Sequence, residues 1–245
     1  MNNVSGKASN GMSKSFDKTQ GKLSVVATPI GNLADITLRA LETLKAVDAI
    51  YCEDTRVTSK LLARYAIRKP LFRLDAVTER KKTPEVITRL KKNEHIALVS
   101  DAGTPGGLSD PGAYLVEHVR AELPDAKIES IPGPSSLTAA LSVAGVLAND
   151  FLFLGFLPHK KGRQTALREL AASERPVVLF ESPHRIRKLM NELKSLVPRR
   201  RVVVVRELTK MFESAVEGLA ADIPDLVERG TIPERGEFVV IVAPH

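Results

Sequence analysis

Apolar residues fall into two alternating patterns from about residue 22 onward. Short continuous apolar runs at 23–28, 49–52, 96–100, 151–156, 177–180, 202–205 and 238–242 predict strands. The consecutive Val202, Val203, Val204 and Val205 suit a strand covered on both faces. Between the runs, apolar residues recur at helical spacing. Leu38, Leu41, Leu44 and Val47 predict a helix within 36–47. Ile186, Leu189, Met190 and Leu193 mark one face of another, opened by Ser182-Pro183. A helix is also expected over 61–65, and one starting at Thr83-Pro84, since proline at a first helical position loses no hydrogen bond. Asp110-Pro111 is expected to cap the next helix. Residues 135–144 read as a small-residue helix stopped by Gly145.

Strand and helix alternation of this kind is α/β, with a substantially parallel sheet. The stretch 145–151 is the expected boundary between two halves, 22–146 and 147–245. Residues 1–21 are rich in Ser, Asn, Gly and Lys without apolar periodicity, and read as a disordered tail. They lack the apolar core of a secretory signal and the arginines of a mitochondrial presequence.

Ligands of open α/β sheets bind beyond the carboxyl ends of strands. Four such ends carry unusual residues: Thr28-Pro29-Ile30-Gly31-Asn32, Glu53-Asp54-Thr55-Arg56, the loop from Ser100 through Asp101, Gly103 and Thr104 to Gly107, and Pro132-Gly133-Pro134-Ser135-Ser136. Each alone fits a tight turn, but four together point to a binding cleft. The chemistry is narrowed by absences. No G-x-G-x-x-G follows the first strand, and neither a P-loop nor a G-x-S-x-G elbow occurs. The five histidines have no metal-ligand spacing, so no metal site is expected.

Composition adds little until charge is divided. The net charge is +7, and Lys7, Lys14, Lys18 and Lys22 against Asp17 place nearly half of it in residues 1–22. The remainder is mildly basic, which is compatible with an anionic partner. Arg80-Lys81-Lys82, Lys160-Lys161 with Arg163, and Arg199-Arg200-Arg201 are candidate phosphate contacts or merely solvated faces. The single Cys52 excludes a disulfide framework and fits a reducing cytoplasm. No apolar stretch reaches membrane-spanning length.

The loops in order resemble one family. Val26-Ala27-Thr28-Pro29-Ile30-Gly31-Asn32-Leu33, Glu53-Asp54-Thr55-Arg56, Ser100-Asp101-Ala102-Gly103-Thr104-Pro105, Ser109-Asp110-Pro111-Gly112 and Pro132-Gly133-Pro134-Ser135 carry it in the first half. Gly155-Phe156-Leu157-Pro158, Phe180-Glu181-Ser182-Pro183-His184-Arg185 and Arg206-Glu207-Leu208-Thr209-Lys210 carry it in the second. Over roughly 22–243 the chain is similar to the ribosomal RNA 2′-O-ribose methyltransferases of the tetrapyrrole-methylase (class III) group. The resemblance implies a two-lobed tetrapyrrole-methylase-like fold, each lobe a mainly parallel or mixed sheet with flanking helices. It implies a homodimer with S-adenosyl-L-methionine between the lobes, acting in the cytoplasm on a cytidine ribose of 16S rRNA within the 30S subunit. By motif match Asp101 and Thr104 contact the cofactor, with Ser100 and Gly103 in the same loop. Ser135 and Ser136 match a hydroxyl-plus-small pair, Pro29 faces the cofactor, and Glu181 and Gly218 align with second-lobe cofactor positions. Gly106-Gly107 gives the loop one residue more than the pattern, and some relatives continue with a small extra domain.

A ribose hydroxyl needs a base or stabilisation of developing alkoxide. Lys210, Glu53, Asp54 and Glu237 are candidates, and spacing does not choose among them; Lys210 is equally suited to an ion pair with Glu207. Arg56, Lys160, Lys161, Arg163 and Arg185 are candidate RNA contacts. Two other readings stay open: methylation of a tetrapyrrole precursor, and a non-catalytic RNA-binding or ribosome-assembly protein.

Overall fold

The computed structural model describes residues 21–107 and 110–244. Five parallel strands form a first sheet: β1 (Lys22–Val26), β2 (Ala49–Cys52), β3 (Leu71–Arg73), β4 (His95–Val99) and β5 (Lys127–Ile131), in the order β3-β2-β4-β1-β5. A second sheet holds β6 (Leu152–Phe156), β7 (Val177–Glu181), β8 (Arg201–Arg206), β9 (Ser214–Leu219) and β10 (Phe238–Val242), in the order β6-β7-β10-β8-β9. Only β6 and β7 pair in parallel there; the other pairings are antiparallel. The tail expected over 1–21 lies outside the described residues except Gly21, whose carbonyl accepts from the Lys127 N–H at 3.2 Å.

Parallel pairing requires crossovers, supplied by α1 (Leu38–Ala46), α2 (Thr55–Arg64), α3 (Glu79–Lys91) and α4 (Ala113–Glu122). The strand pleat sorts the side chains between them. Val26, Ile50, Cys52 and Val99 meet Leu44, Leu61 and Leu62 on one face. Leu23, Tyr51, Ile96 and Leu98 meet Ile87, Leu90 and Leu115 on the other. Cys52 is fully buried among apolar side chains, as a small hydrophobe.

The second sheet is covered on one face by α6 (Arg163–Ala172), α7 (Ile186–Leu196) and α8 (Ile223–Glu228). Its other face packs on α5 (Ser136–Val143) of the first half. The valine run divides between the two: Val202 and Val204 lie under the helices, and Val203 and Val205 join Leu137, Ala140 and Ile30 in a seam between the halves.

Several helix starts differ from expectation: α2 opens at Thr55, ahead of the expected 61, because Asp54 caps it by accepting from Arg56 N–H, and α7 opens at Ile186, after Ser182-Pro183. The starts of α3 and α4 differ for related reasons. Helix α3 begins at Glu79 and carries Pro84 inside it. Asp75 initiates the helix: its Oδ1 accepts from Val77 and Thr78 N–H, and its carbonyl from Glu79 N–H. Helix α4 has Gly112 at its N-cap and no side-chain cap of its own, so Asp110-Pro111 does not cap it. The buried Glu79 carboxylate does, accepting from Gly112 N–H at 2.9 Å and Leu115 N–H at 3.0 Å. A carboxylate here satisfies two orphan donors and complements the helix dipole.

At the amino ends of the strands Ser24, fully buried, lies 2.8 Å from His95 Nε2 and donates to Glu129 at 2.7 Å, which also holds Lys22 at 2.6 Å. Burial first, then the Lys22 charge, pushes the His95 pKa below its ordinary 6.5, against the opposing pull of Glu129 and Asp48. The unfolded chain therefore binds more protons in the window just below pH 6.5. This contribution to stability is full above pH 6.5, shrinks as the pH falls through that window, and levels off below the folded value. Urea titrations at stepped pH are expected to show a shallower acid-side decline in His95→Gln than in the unsubstituted chain.

Candidate active site

The carboxyl ends of β1, β2 and β4 are tied together before any ligand is considered. Thr28 N–H donates to Gly103 O at 2.8 Å and Gly103 N–H returns to Thr28 O at 3.1 Å, a two-residue bridge past the end of the sheet. Gly103 takes φ +85°, which its lack of a side chain permits. The buried Thr28 hydroxyl donates to Ser100 O at 3.1 Å. Asp101 Oδ1 accepts the Asp54 N–H at 3.0 Å, joining the β4 loop to the start of α2. Pro29 and Ser100 are buried in this knot, while Thr104 is exposed. Gly133 lets the β5 loop approach β1: a Cβ there would stand 2.9 Å from Ala27 Cβ. Ser135, the N-cap of α5, makes no side-chain cap bond, so its hydroxyl is left for another partner.

The second sheet faces this knot across a cavity of about 320 Å³. Ile30, Ala102, Asp110 and Ser136 line it from one side, and Phe156, Phe180, Glu181, Val205, Leu208, Phe238 and Val239 from the other. A more open groove of about 720 Å³ runs along α6 and α7, but no residue of the first half lines it.

Three carboxyl groups sit at the first-sheet side with weakened acidity. Burial, then the Asp101 and Asp110 charges, pushes Glu53 above its ordinary value. Burial raises Asp101, and burial with the Asp101 charge raises Asp110. Asp54 differs: hydrogen bonds from the Arg56 side chain and backbone hold it well below the usual carboxylate range.

The β8–β9 turn crosses to the first half. Glu207 and Thr209 adopt φ +52° and +64°, a region that β-branched threonine rarely enters. The turn is held by Glu207 N–H to Glu237 O and Glu237 N–H to Glu207 Oε1, both 2.9 Å, and by a Thr209 N–H bond to the Glu213 carboxylate. Thr209 Oγ1 accepts from Asn32 N–H at 3.0 Å. Lys210 Nζ lies 3.0 Å from both Glu207 Oε1 and Glu237 Oε2. Burial disfavours its charge, but the bonds and charges of Glu207 and Glu237 outweigh burial and raise its pKa. Lys210 is thus a fixed cation, not a proton acceptor.

Several sequence-based candidates fall elsewhere. Arg163 is buried and paired bidentately with Glu192, with a closest contact of 2.6 Å, so its guanidinium cannot reach an RNA phosphate. Arg185 is committed to Glu181 at 2.7 Å and to the Leu157 carbonyl at 2.8 Å. Glu181, itself buried, is spent on Arg185 and on Ser182 N–H, although it edges the cavity. Gly218 pairs with Val202 and sits against Ile223 and Leu226 on the helix-covered face, away from the cleft. Arg200 is buried and donates to the carbonyls of Ala243 and Leu170, a support for the second core. Arg56, Lys160 and Lys161 are exposed. Sequence reasoning missed Asp110 as a cavity residue and Phe180, Val205 and Val239 as cavity walls; only strand parity separates such residues from ordinary core.

Gly31 marks how close the halves come. A Cβ there would lie 2.6 Å from Lys210 Cγ, 2.7 Å from Thr209 Oγ1 and 3.0 Å from Leu208 O. Gly31→Ala is expected to force the two loops apart, costing about 1–3 kcal/mol in thermal or urea unfolding. An unchanged unfolding midpoint would refute the tight fit.

The model of the Tetrapyrrole (Corrin/Porphyrin) Methylases matches residues 22–224. Ribosomal RNA small subunit methyltransferase I of Xylella fastidiosa (strain Temecula1) is 45% identical over 226 residues, covering 91% of this chain and 82% of its own. The protein of the same name from Thermotoga maritima is 42% identical, covering 91% of this chain and 98% of its own. Uroporphyrin-III C-methyltransferase from Thermus thermophilus, solved with S-adenyl homocysteine, shares the fold at a TM-score of 0.62 and 19% identity, over 91% of this chain and 97% of its own. The chain thus belongs to the tetrapyrrole methylases, S-adenosylmethionine-dependent methyltransferases, and within them to the group that includes these two ribosomal RNA enzymes.

Proposed function

We propose that the cleft binds S-adenosylmethionine and that the chain methylates the 2′-oxygen of a cytidine in 16S rRNA, within the 30S subunit. In this reading it acts in the cytoplasm as a homodimer, with residues 22–146 and 147–245 as the two lobes around the cofactor. The observation that carries the reading is the convergence of three loops beyond the first-sheet strands on one partly apolar cavity, through Ile30, through Ala102 and Asp110, and through Ser136, with the Glu53–Arg56 segment tied to them by the Asp54–Asp101 bond. The relatives' names agree with it. No helix among the described residues is long and apolar enough to cross a membrane.

The residues present suit the cofactor. Apolar walls such as Val205 and Val239 offer a dry slot. S-adenosylmethionine supplies a methyl group on a cationic sulfur. Asp101 and Asp110 provide negative potential for that cation, and Ser135 and Ser136 offer hydroxyls. The new bond joins O2′ to the methyl carbon, the sulfur–methyl bond breaks, and the 2′-hydroxyl proton leaves to a base. Among the four candidate bases Glu53 fits best. Lys210 stays protonated, Asp54 is neutralised by Arg56, and Glu237 is exposed and paired with Lys210. Glu53 makes no ion pair among the described residues, and its raised pKa strengthens it as a base. Arg56, Lys160 and Lys161 are left as phosphate contacts.

Labelled methyl transfer to 30S subunits from cells lacking the gene, followed by nucleoside mass spectrometry, is expected to yield 2′-O-methylcytidine. Transfer to a tetrapyrrole precursor with none to RNA would replace this reading by the other branch of the family. Asp101→Asn is expected to weaken cofactor binding about 10- to 100-fold by calorimetry, the range for hydrogen bonds to charged groups.

The base assignment has its own pH signature. Glu53 works ionised, so kcat should fall as the pH drops through a value above the ordinary 4.5. Glu53→Gln should abolish that limb and lower kcat about 10²- to 10⁴-fold. An acid limb retained in Glu53→Gln would move the role to another group.

A further inference from the structure

Aromatic residues make up 4% of this chain, with no tryptophan, yet Phe156 at the cavity mouth is 55% exposed. Its position is not what the strand would produce unaided. Along β6, Leu152 and Leu154 turn toward the helix-covered core, and Phe151 and Phe153 toward the seam. Continued without interruption, this alternation puts Gly155 on the cleft side and Phe156 beneath the helices. The pairing with β7 shifts instead. Phe153 stands opposite Val178, Leu154 is skipped, Gly155 stands opposite Leu179 and Phe156 opposite Phe180. Gly155 takes φ +58°, open to glycine at no steric cost.

The bulge thus reverses the face of the last strand residue and delivers its ring into the cleft. Bulges are rare in parallel pairs and typically re-aim a side chain next to a site. The ring is then fixed. Phe156 meets Phe180 edge-on, with centroids 5.6 Å apart at 61°, and Phe180 meets Phe153 at 5.0 Å and 72°. The same loop runs on to the exposed Lys160 and Lys161. An aromatic face followed along the same loop by two exposed cations is the composition that holds an unstacked nucleotide: base on the ring, phosphate on the lysines.

We propose that Phe156 is the platform on which the acceptor nucleobase stacks, with Lys160 and Lys161 holding its neighbouring phosphate. The inference rests on the RNA-methylation reading and deepens it. The buried walls Val205, Phe238 and Val239 cover a cofactor without help from the rim. The outward face of Phe156 belongs to the second substrate. Because stacking tolerates any base, Phe156 contributes affinity and orientation, and discrimination of cytosine falls to other groups.

Three proteins test this: the unsubstituted chain, Phe156→Ala and Phe156→Tyr. Each is assayed for methyl transfer to unmethylated 30S subunits, for equilibrium binding to the same subunits, and for S-adenosylhomocysteine affinity by calorimetry without RNA. Phe156→Ala is expected to lower kcat/KM for subunits and weaken subunit binding about 10-fold, in line with the loss of one stacked base. Phe156→Tyr should restore both, and S-adenosylhomocysteine affinity should stay unchanged in all three. Unchanged subunit kinetics in Phe156→Ala, or a loss of S-adenosylhomocysteine affinity that accounts for the defect, would overturn the proposal. If the unsubstituted chain neither binds nor methylates subunits, the RNA reading itself fails, and the platform with it.

Discussion

Two sheets share one apolar seam, and the site exists because that seam is incomplete. Ile30, Leu137 and Ala140 of the first half close against Val178, Val203, Val239 and Ile241 of the second. Burial of these side chains is the main force that holds the halves together. Toward the carboxyl ends of the first-sheet strands the packing stops, and Val205, Val239 and Leu208 pass from seam to cavity wall. The groups that line the opening are therefore positioned by the same contacts that stabilise the interface. Polar bonds set the register across it: Asn32 N–H to Thr209 Oγ1, and the Arg201 guanidinium to the Gly145 carbonyl.

Charge follows the same division. The first sheet presents Glu53, Asp101 and Asp110 at its strand ends, each less acidic than usual because burial and mutual repulsion disfavour ionisation. The β8–β9 turn presents Lys210, locked as a cation by two glutamates. Of these groups Asp110 lines the cavity itself, where negative potential suits a cationic cofactor.

Much of this was legible in the sequence, and the exceptions have physical causes. The ends of β2 and β10 were read directly from apolar runs, and the buried face of α7 from its spacing. The valine run announced a strand covered on both sides. Three of the four edge strands are not legible: β3 is three residues long, and β5 and β9 are half-exposed with polar residues breaking any apolar run. The start of α3 was misplaced because Asp75, not the proline, opens the helix. Strand-end loops drew attention through their glycines, serines and acids, which is how the Asp101 knot was anticipated. Arginine roles were not legible: Arg56 stays in solvent while Arg163 and Arg200 are buried, and composition cannot distinguish them. Nor could periodicity foresee Phe156, since a bulge breaks the alternation on which such reading depends.

The capping of α4 by Glu79 has a consequence for how such a protein varies. A helix normally depends on the residues just before it for its first hydrogen bonds, so its leading loop is constrained in length and chemistry. Here those bonds come from a neighbouring helix. The glycine-bearing segment ahead of Gly112 is released from that duty. A borrowed cap thus separates evolutionary freedom at the rim of the cleft from the stability of the domain that carries it.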